Sequence, residues 1–315
     1  MRESLIRHLL EKMHADSRIV LLTGDHGYAI FDPIKNTFPT RFINCGVAEQ
    51  NMIGVAAGLS KMGFIPFAYG LSSFVPTRVV EQIKLSIALD KQKVILLGDG
   101  GGLVYSYLGS SHQSTEDLAI ARCLPNLQVF SPADSHEICN SVNRALEYSG
   151  PSYVRIGKSH NEEIHKNSLE IERSDFEPLA LVDNKRNRVT LLATGYLAHV
   201  ALEIQSLYLP NINVYSCPFI KPINLKKFIQ NIGEQDLIIT LEEHSILAGF
   251  GSAVLESLGT RNIFSLLRIG VNDTFNDQVG SHDFLLKHHQ LDAIGVVNQI
   301  RSFDIRAYNL AKAQN

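Results

Sequence analysis

A chain of 315 residues, 45% hydrophobic and 19% charged, has the composition of a folded globular protein and excludes a disordered or fibrous one. Its formal net charge of −3 gives no basis for expecting nucleic acid or an anionic membrane as partner. The length exceeds what one hydrophobic core usually fills, so about two domains are expected.

Leu5, Ile6, Leu9, Leu10 and Met13 share one helical face near the N-terminus. A compact β-rich run follows at 19–23 and ends in Gly24. Further runs fall at 41–44, 64–69, 93–97, 127–131 and 152–156, with helical stretches at 50–62, 77–89, 115–123 and 135–148. Such alternation predicts an α/β fold, with mostly parallel sheets covered by helices on both faces. The polar segment 160–175 breaks the rhythm. A second alternation then places strands at 189–193, 212–216, 236–241 and 262–267. Helices at about 198–207, 225–232, 249–258 and 294–303 fit between and after them. Two doubly wound domains are therefore expected, over 1–175 and 189–315, with a linker at 176–188.

No stretch approaches the ~20 apolar residues of a membrane span, and the N-terminus carries no apolar signal core. A cytoplasmic protein is expected. Cys45, Cys123, Cys139 and Cys217 form no C-x-x-C pair, which predicts reduced thiols rather than a metal site. In parallel α/β sheets ligands sit at the carboxyl ends of strands. That rule selects Asp25-His26, Cys45-Gly46, 71–74, 98–102 and 132–134.

The most informative string is Asn44-Cys45-Gly46-Val47-Ala48-Glu49-Gln50-Asn51, where a strand ends, a glycine turn follows and one acid opens a helix rich in small residues. A second is Tyr69-Gly70-Leu71-Ser72-Ser73-Phe74, continuing through Arg78 to Glu81-Gln82-Ile83. A third is Ser110-Ser111-His112-Gln113, followed by Glu116-Asp117-Leu118-Ala119 and Arg122-Cys123-Leu124-Pro125-Asn126. Read locally, Glu49 is a helix-start acid that complements the dipole, and Phe74 a core aromatic. Together the strings resemble the pyrimidine-binding domain of the transketolase superfamily. That group includes transketolases, deoxyxylulose-phosphate synthases and the β subunits of 2-oxoacid dehydrogenases. Glu242-Glu243-His244 through Gly249-Phe250-Gly251-Ser252-Ala253, Lys221-Pro222-Ile223 and 280–291 resemble the family's C-terminal domain.

The resemblance implies a thiamin diphosphate enzyme that transfers a two-carbon ketol or acyl unit between sugar-type substrates. It implies that Glu49 contacts the ring nitrogen of the cofactor's aminopyrimidine, and that Phe74 stacks on that ring. His112 and Gln113 would face substrate, with His26 beside them, and Asp25 would lie near the thiazolium side. The fork of Arg155 would bind a substrate phosphate, against a local reading as an ordinary strand-end surface arginine. A β subunit of a 2-oxoacid dehydrogenase and a non-catalytic scaffold are the competing readings. The S-H-Q string favours the transketolase side, and scaffolding needs none of Glu49, Phe74 and His112.

Gly98-Asp99-Gly100 imitates a G-D-G…N metal and diphosphate signature, but Asn126 precedes its strand instead of following one. No metal ligands are therefore expected, and His282, His288 and His289 are read as surface residues. Since the resemblance starts at the pyrimidine domain, thiamin diphosphate with its Mg²⁺ or Ca²⁺ is expected to be held mainly by a partner. That partner is an N-terminal transketolase-like subunit carrying the diphosphate-binding domain. A heterotetramer with self-association of this chain follows. Gly100 stands where transketolases place a phosphate-binding His, Leu108 where they place a hydroxyl-recognising Asp, and Leu71 where many place another aromatic. The departures at Gly100 and Leu108 predict a changed small-molecule substrate, and Leu71 a pocket built somewhat differently.

Overall fold

The computed structural model describes residues 1–27, 29–158, 163–230, 236–259 and 265–312. Its strands are β1 (Ile19–Thr23), β2 (Phe42–Asn44), β3 (Ile65–Leu71), β4 (Ile95–Asp99), β5 (Gln128–Phe130), β6 (Ser152–Ile156), β7 (Leu179–Val182), β8 (Val189–Ala193), β9 (Ile212–Ser216), β10 (Phe219–Lys221), β11 (Leu237–Ser245) and β12 (Ser265–Val271). They form a seven-stranded sheet in the order β10-β5-β6-β4-β3-β1-β2 and a five-stranded sheet in the order β12-β11-β8-β9-β7. The pairings are parallel apart from β10 on β5 and β7 on β9.

β1, β4 and β6 are buried at every position, as a sheet covered on both faces requires. The pleat sends alternate side chains to opposite faces. Val20, Leu22, Ala68, Leu96 and Tyr153 cluster with Met52, Ile53 and Ala56 of the helix Glu49–Lys61. Leu21, Phe67, Ile95, Leu97 and Val154 cluster with Leu5, Leu9 and Met13 of the helix Arg2–Ala15. Ile138, Val142 and Ala145 of the helix Ser135–Glu147 complete that second layer. Each fully buried large aliphatic stabilises the fold by about 2 kcal/mol.

The two halves share material. After β9 the chain lays β10 antiparallel on β5 and covers an edge that would otherwise be open to pairing. Phe219 of β10 meets Phe130 of β5 edge-on, with ring centroids 6.2 Å apart. Leu192, Ile238 and Phe250 of the second half join the same core as Leu96 and Val129 of the first.

The expected runs at 19–23, 152–156, 189–193 and 212–216 coincide with β1, β6, β8 and β9. The helix expected over 77–89 is composite: a 3-10 turn Thr77–Val79, an α turn Val80–Gln82 and a wider π turn Ile83–Ala88. In the last of these Leu89 N–H donates to Lys84 O at 3.0 Å. The stretch 176–188, expected as a linker, contains β7, which pairs with β9 in the second sheet. The expected strand start at Asn262, the helix end at Ile232, and Asn161 and Glu162 of the polar segment lie outside the described residues. Among the described residues no helix is long and apolar enough to cross a membrane.

Candidate functional site

The turns after β1, β2, β3 and β4 converge at one end of the first sheet, where an α/β fold places ligands. After β1, Thr23 Oγ accepts the amide of His26 at 3.2 Å and donates to the carbonyl of His26 at 2.8 Å. That closed turn fixes where the imidazole emerges. Asp25 is exposed, in a left-handed conformation (φ 63°) that short polar residues tolerate. Asn44, at the end of β2, ties this turn to the next: its Oδ1 accepts from the amides of Asp25 and Gly46, and its Nδ2 donates to Asp25 Oδ1 at 3.0 Å. Sequence reasoning quoted Asn44 at a strand end but gave it no role.

Glu49 is the first residue of its helix, which has no side-chain cap from Ala48. A carboxylate there complements the helix dipole. The residue is 2% exposed. Arg78 Nη1 donates to its Oε2 at 2.9 Å, and its Oε1 lies 3.5 Å from His26 Nε2. Both Glu49 Oε1 and His26 Nε2 are buried with no hydrogen-bond partner. Unpaired buried polar atoms are costly and rare, so two facing each other mark a place built to receive another group.

Phe74 forms the wall beside them. Its ring centroid lies 6.1 Å from that of His26 and 5.6 Å from that of His112, the latter edge-on at 63°. The guanidinium carbon of Arg78 stands 4.0 Å over the same ring. One planar cation therefore stacks on Phe74 and bonds Glu49 at once. Sequence reasoning placed Arg78 in a motif without a role; the available signal was its spacing of one helical turn from Phe74. His112 is half-buried, with Ser111 Oγ 2.9 Å from its Nδ1.

Gly100 has φ 78°, and a Cβ there would come within 2.0 Å of the Tyr105 ring. Tyr105 thus fills the space next to Gly100, while Leu108 is exposed. Asp99, the acid of the Gly98-Asp99-Gly100 triplet, accepts from Arg2 Nε at 2.8 Å and from the Tyr105 hydroxyl at 2.6 Å. Burial and Asp99 together push the Tyr105 phenol pKa well up.

The local reading of Arg155 as a surface arginine and the expected surface position of His282 need correction. Arg155 is 4% exposed: it donates to Asp117 Oδ2, Ser114 O and Glu243 O, each at 2.9 Å, so it is no strand-end surface arginine. His282 is also buried, with Nε2 2.8 Å from Glu243 Oε1, although His288 is exposed as expected. Both belong to the joint between the halves, a non-local contact that no sequence period reports. Gln113 lies in that joint too. Its Oε1 accepts from Asn276 Nδ2 at 3.0 Å, and its Nε2 reaches Ser106 O at 3.5 Å.

Asp134, Glu137 and His165 form a buried group of metal-ligand type. Its oxygens are already engaged: Asp134 accepts the amides of Glu137, Ile164 and His165, and Glu137 accepts that of Ala133 and lies 2.8 Å from His165 Nε2. The group ties 163–165 to the start of the helix Ser135–Glu147. Two cavities flank the His26 turn. One, of about 150 Å³, touches Thr23, Asp25, His26 and Asn44; the other, of about 910 Å³, touches Arg2, Arg7, Ala29 and Pro33. Neither is lined by Glu49.

Residues 1–162 match the pyrimidine binding domain of transketolase, and residues 179–296 match the transketolase C-terminal domain. The chain is 33% identical over 307 residues to the 6-deoxy-6-sulfo-D-fructose transketolase subunit SqwH of Clostridium sp., covering 94% of this chain and 92% of that one. It is 30% identical over 315 residues to a subunit of the apulose-4-phosphate transketolase of Phocaeicola vulgatus, covering 96% of each. Among solved structures, a split gene transketolase described as an inactive β4 tetramer has a TM-score of 0.85 at 33% identity, with 98% of both chains covered.

Proposed function

We propose that this chain, which belongs to the transketolase family, is the subunit of a split thiamin diphosphate-dependent transferase that supplies the pyrimidine-activating carboxylate, Glu49. The observation that carries the reading is Glu49 Oε1, buried and unpaired beside the Phe74 ring and His26. The residues present fit an aminopyrimidine: a flat aromatic face, a carboxyl group within reach and an unpaired imidazole nitrogen.

Thiamin diphosphate supplies a thiazolium carbon which, once deprotonated, is a nucleophile toward a ketone. Glu49 would hold a proton at the pyrimidine ring nitrogen, and Phe74 would hold the plane of that ring. His26 and His112 would stand toward substrate as donors or proton carriers to its oxygens. Asp25, fixed through Asn44, would border the cofactor's second ring. Arg78 must leave the face of Phe74 before another ring can stack there, and its side chain, 46% exposed, has solvent to move into. The engagement of Arg155 and Gln113 inside the chain supports assigning substrate contact to the two histidines instead.

The carboxylate of Asp99 is engaged by Arg2 and Tyr105, which supports placing the diphosphate and its Mg²⁺ or Ca²⁺ on a partner that carries a diphosphate-binding domain. The relatives named as subunits support the same division, and the likeness to an inactive β4 tetramer supports self-association without turnover. The assembly would be a cytoplasmic heterotetramer. In it, 1–175 would serve as the pyrimidine-binding domain and 189–315 as the C-terminal domain, moving a two-carbon ketol unit between sugar-type substrates.

Titration calorimetry with thiamin diphosphate and Mg²⁺ tests the division, alongside turnover of a two-carbon ketol donor. The chain alone is expected to bind the cofactor weakly and to turn over nothing, and addition of the partner to restore both. Full turnover by the isolated chain would refute the split reading.

A further inference from the structure

We infer that the C-terminal half positions the loop bearing His112, with Asn276 and Glu243 as the positioning residues. The inference rests on the proposed role of His112 toward substrate. Gly102 and Ser114 close the loop by exchanging two backbone hydrogen bonds of 2.8 Å. Between them the chain leaves the sheet, and Tyr107 and Leu108 are open to solvent. Such a loop has few apolar anchors of its own, and loops of that kind open locally unless tied.

The ties come from the second half. At the base, the buried Glu243 Oε1 accepts the Leu103 amide at 2.6 Å and lies 2.8 Å from His282 Nε2. A Cβ on Gly102 (φ 76°) would come 2.6 Å from that same oxygen, so the approach leaves room for glycine alone. Arg155 donates both to Ser114 O and to Glu243 O, and Ser245 N–H donates to Thr115 O at 2.8 Å. At the tip, Asn276 Nδ2 donates to Gln113 Oε1 at 3.0 Å, and Ser110 Oγ donates to Asn276 O. The amides of His112 and Gln113 both reach Gly109 O, at 3.0 and 3.2 Å, so 109–113 moves as one turn. Holding Gln113 therefore holds His112, whose ring meets Phe74. Misplacement of a substrate-facing group by about 1 Å can cost about 100-fold in rate.

Hydrogen exchange of the chain alone gives the first test. Asn276→Ala is expected to speed exchange of amides 103–112 about tenfold and to leave the helix Glu49–Lys61 unchanged. In the holoenzyme reconstituted with its partner, thiamin diphosphate and Mg²⁺, the probe is hydroxypyruvate. Its KM is expected to rise about tenfold while half-saturating thiamin diphosphate stays constant. Because the contact is shared, Gln113→Ala combined with Asn276→Ala is expected to be no worse than either alone. Unchanged loop exchange, or additive kinetic losses, would overturn the inference. A wild-type mixture that binds no thiamin diphosphate would instead sink the proposed function, and the exchange comparison would still decide whether Asn276 holds the loop.

Discussion

Glu49 and Glu242 are buried glutamates set against helix N-termini, one in each half of the molecule. Glu49 opens the helix Glu49–Lys61, with one oxygen bonded to Arg78 and the other unpaired. Glu242, on β11, receives the first amides of the helix Phe250–Leu258: Phe250 N–H donates to Oε2 and Gly251 N–H to Oε1. Burial pushes the Glu242 carboxyl up to about 7 against the pull of those two amides. The same residue type in the same local setting is thus closed in one half and open in the other. The acid whose oxygens are both bonded locally holds an element in place, whereas the orphaned oxygen of Glu49 lies where the strand ends converge, beside His26, and is placed for a ligand.

The sharpest way to break that contrast is Glu49→Gln. In the reconstituted enzyme kcat is expected to fall about 10³-fold, within the range for loss of a positioned acid–base group. The urea midpoint is expected to change little, since the internal contacts at stake are the half-exposed Arg78 pair and the 3.5 Å approach of His26. A loss in kcat below tenfold would make Glu49 as structural as Glu242.

The second prediction concerns the closed site and its pH dependence. Glu242 titrates at about 7 in the folded chain against an ordinary 4.5. Its stabilising contribution is complete below pH 4.5 and is lost as pH rises to 7. His244, two residues on, is pushed down by burial from 6.5 to about 4. Its contribution is complete above pH 6.5 and is lost as pH falls to 4. The two slopes oppose each other between pH 4.5 and 6.5, and their contributions cancel there in the wild type. Glu242→Gln removes one of them, so the stability of the variant relative to wild type is expected to climb by about 3 kcal/mol from pH 4.5 to 7. Urea titrations of both proteins across that range measure it, and a variant whose profile runs parallel to wild type would refute it.

How much of this was legible beforehand depended on how local each feature is. β1, β6, β8 and β9 are short apolar runs bounded by turn residues, and their limits could be read directly. β10 could not: three residues between Pro218 and Pro222 read as loop, and only β5, from the other half, makes them a strand. Glu49, Phe74, His26 and His112 lie in strand-end motifs, and the structure brings them together. Arg155, Gln113 and Glu243 were visible as motif residues, but their engagement inside the chain was not, because the partners that tie them lie 38 to 163 residues away. Domain packing decides whether such a side chain faces solvent or a neighbour, and periodicity within one element says nothing about it.

Arg78 gives the smallest effect and sharpens the comparison most finely, because it decides how open Glu49 is. Its guanidinium lies 4.0 Å over Phe74 and 2.9 Å from Glu49 Oε2, in the arrangement a stacked, hydrogen-bonded ring would need. A half-exposed cation–π and ion-pair contact is worth about 1 kcal/mol. That energy opposes any ring seeking the same face. Arg78→Ala is therefore expected to lower the half-saturating thiamin diphosphate concentration of the reconstituted enzyme about fivefold. Phe74→Ala is expected to raise it, which gives the control for stacking itself. Weaker cofactor binding by Arg78→Ala would show the opposite role: Arg78 would then orient Glu49 for the pyrimidine, and the open site would be less open than its unpaired oxygen indicates.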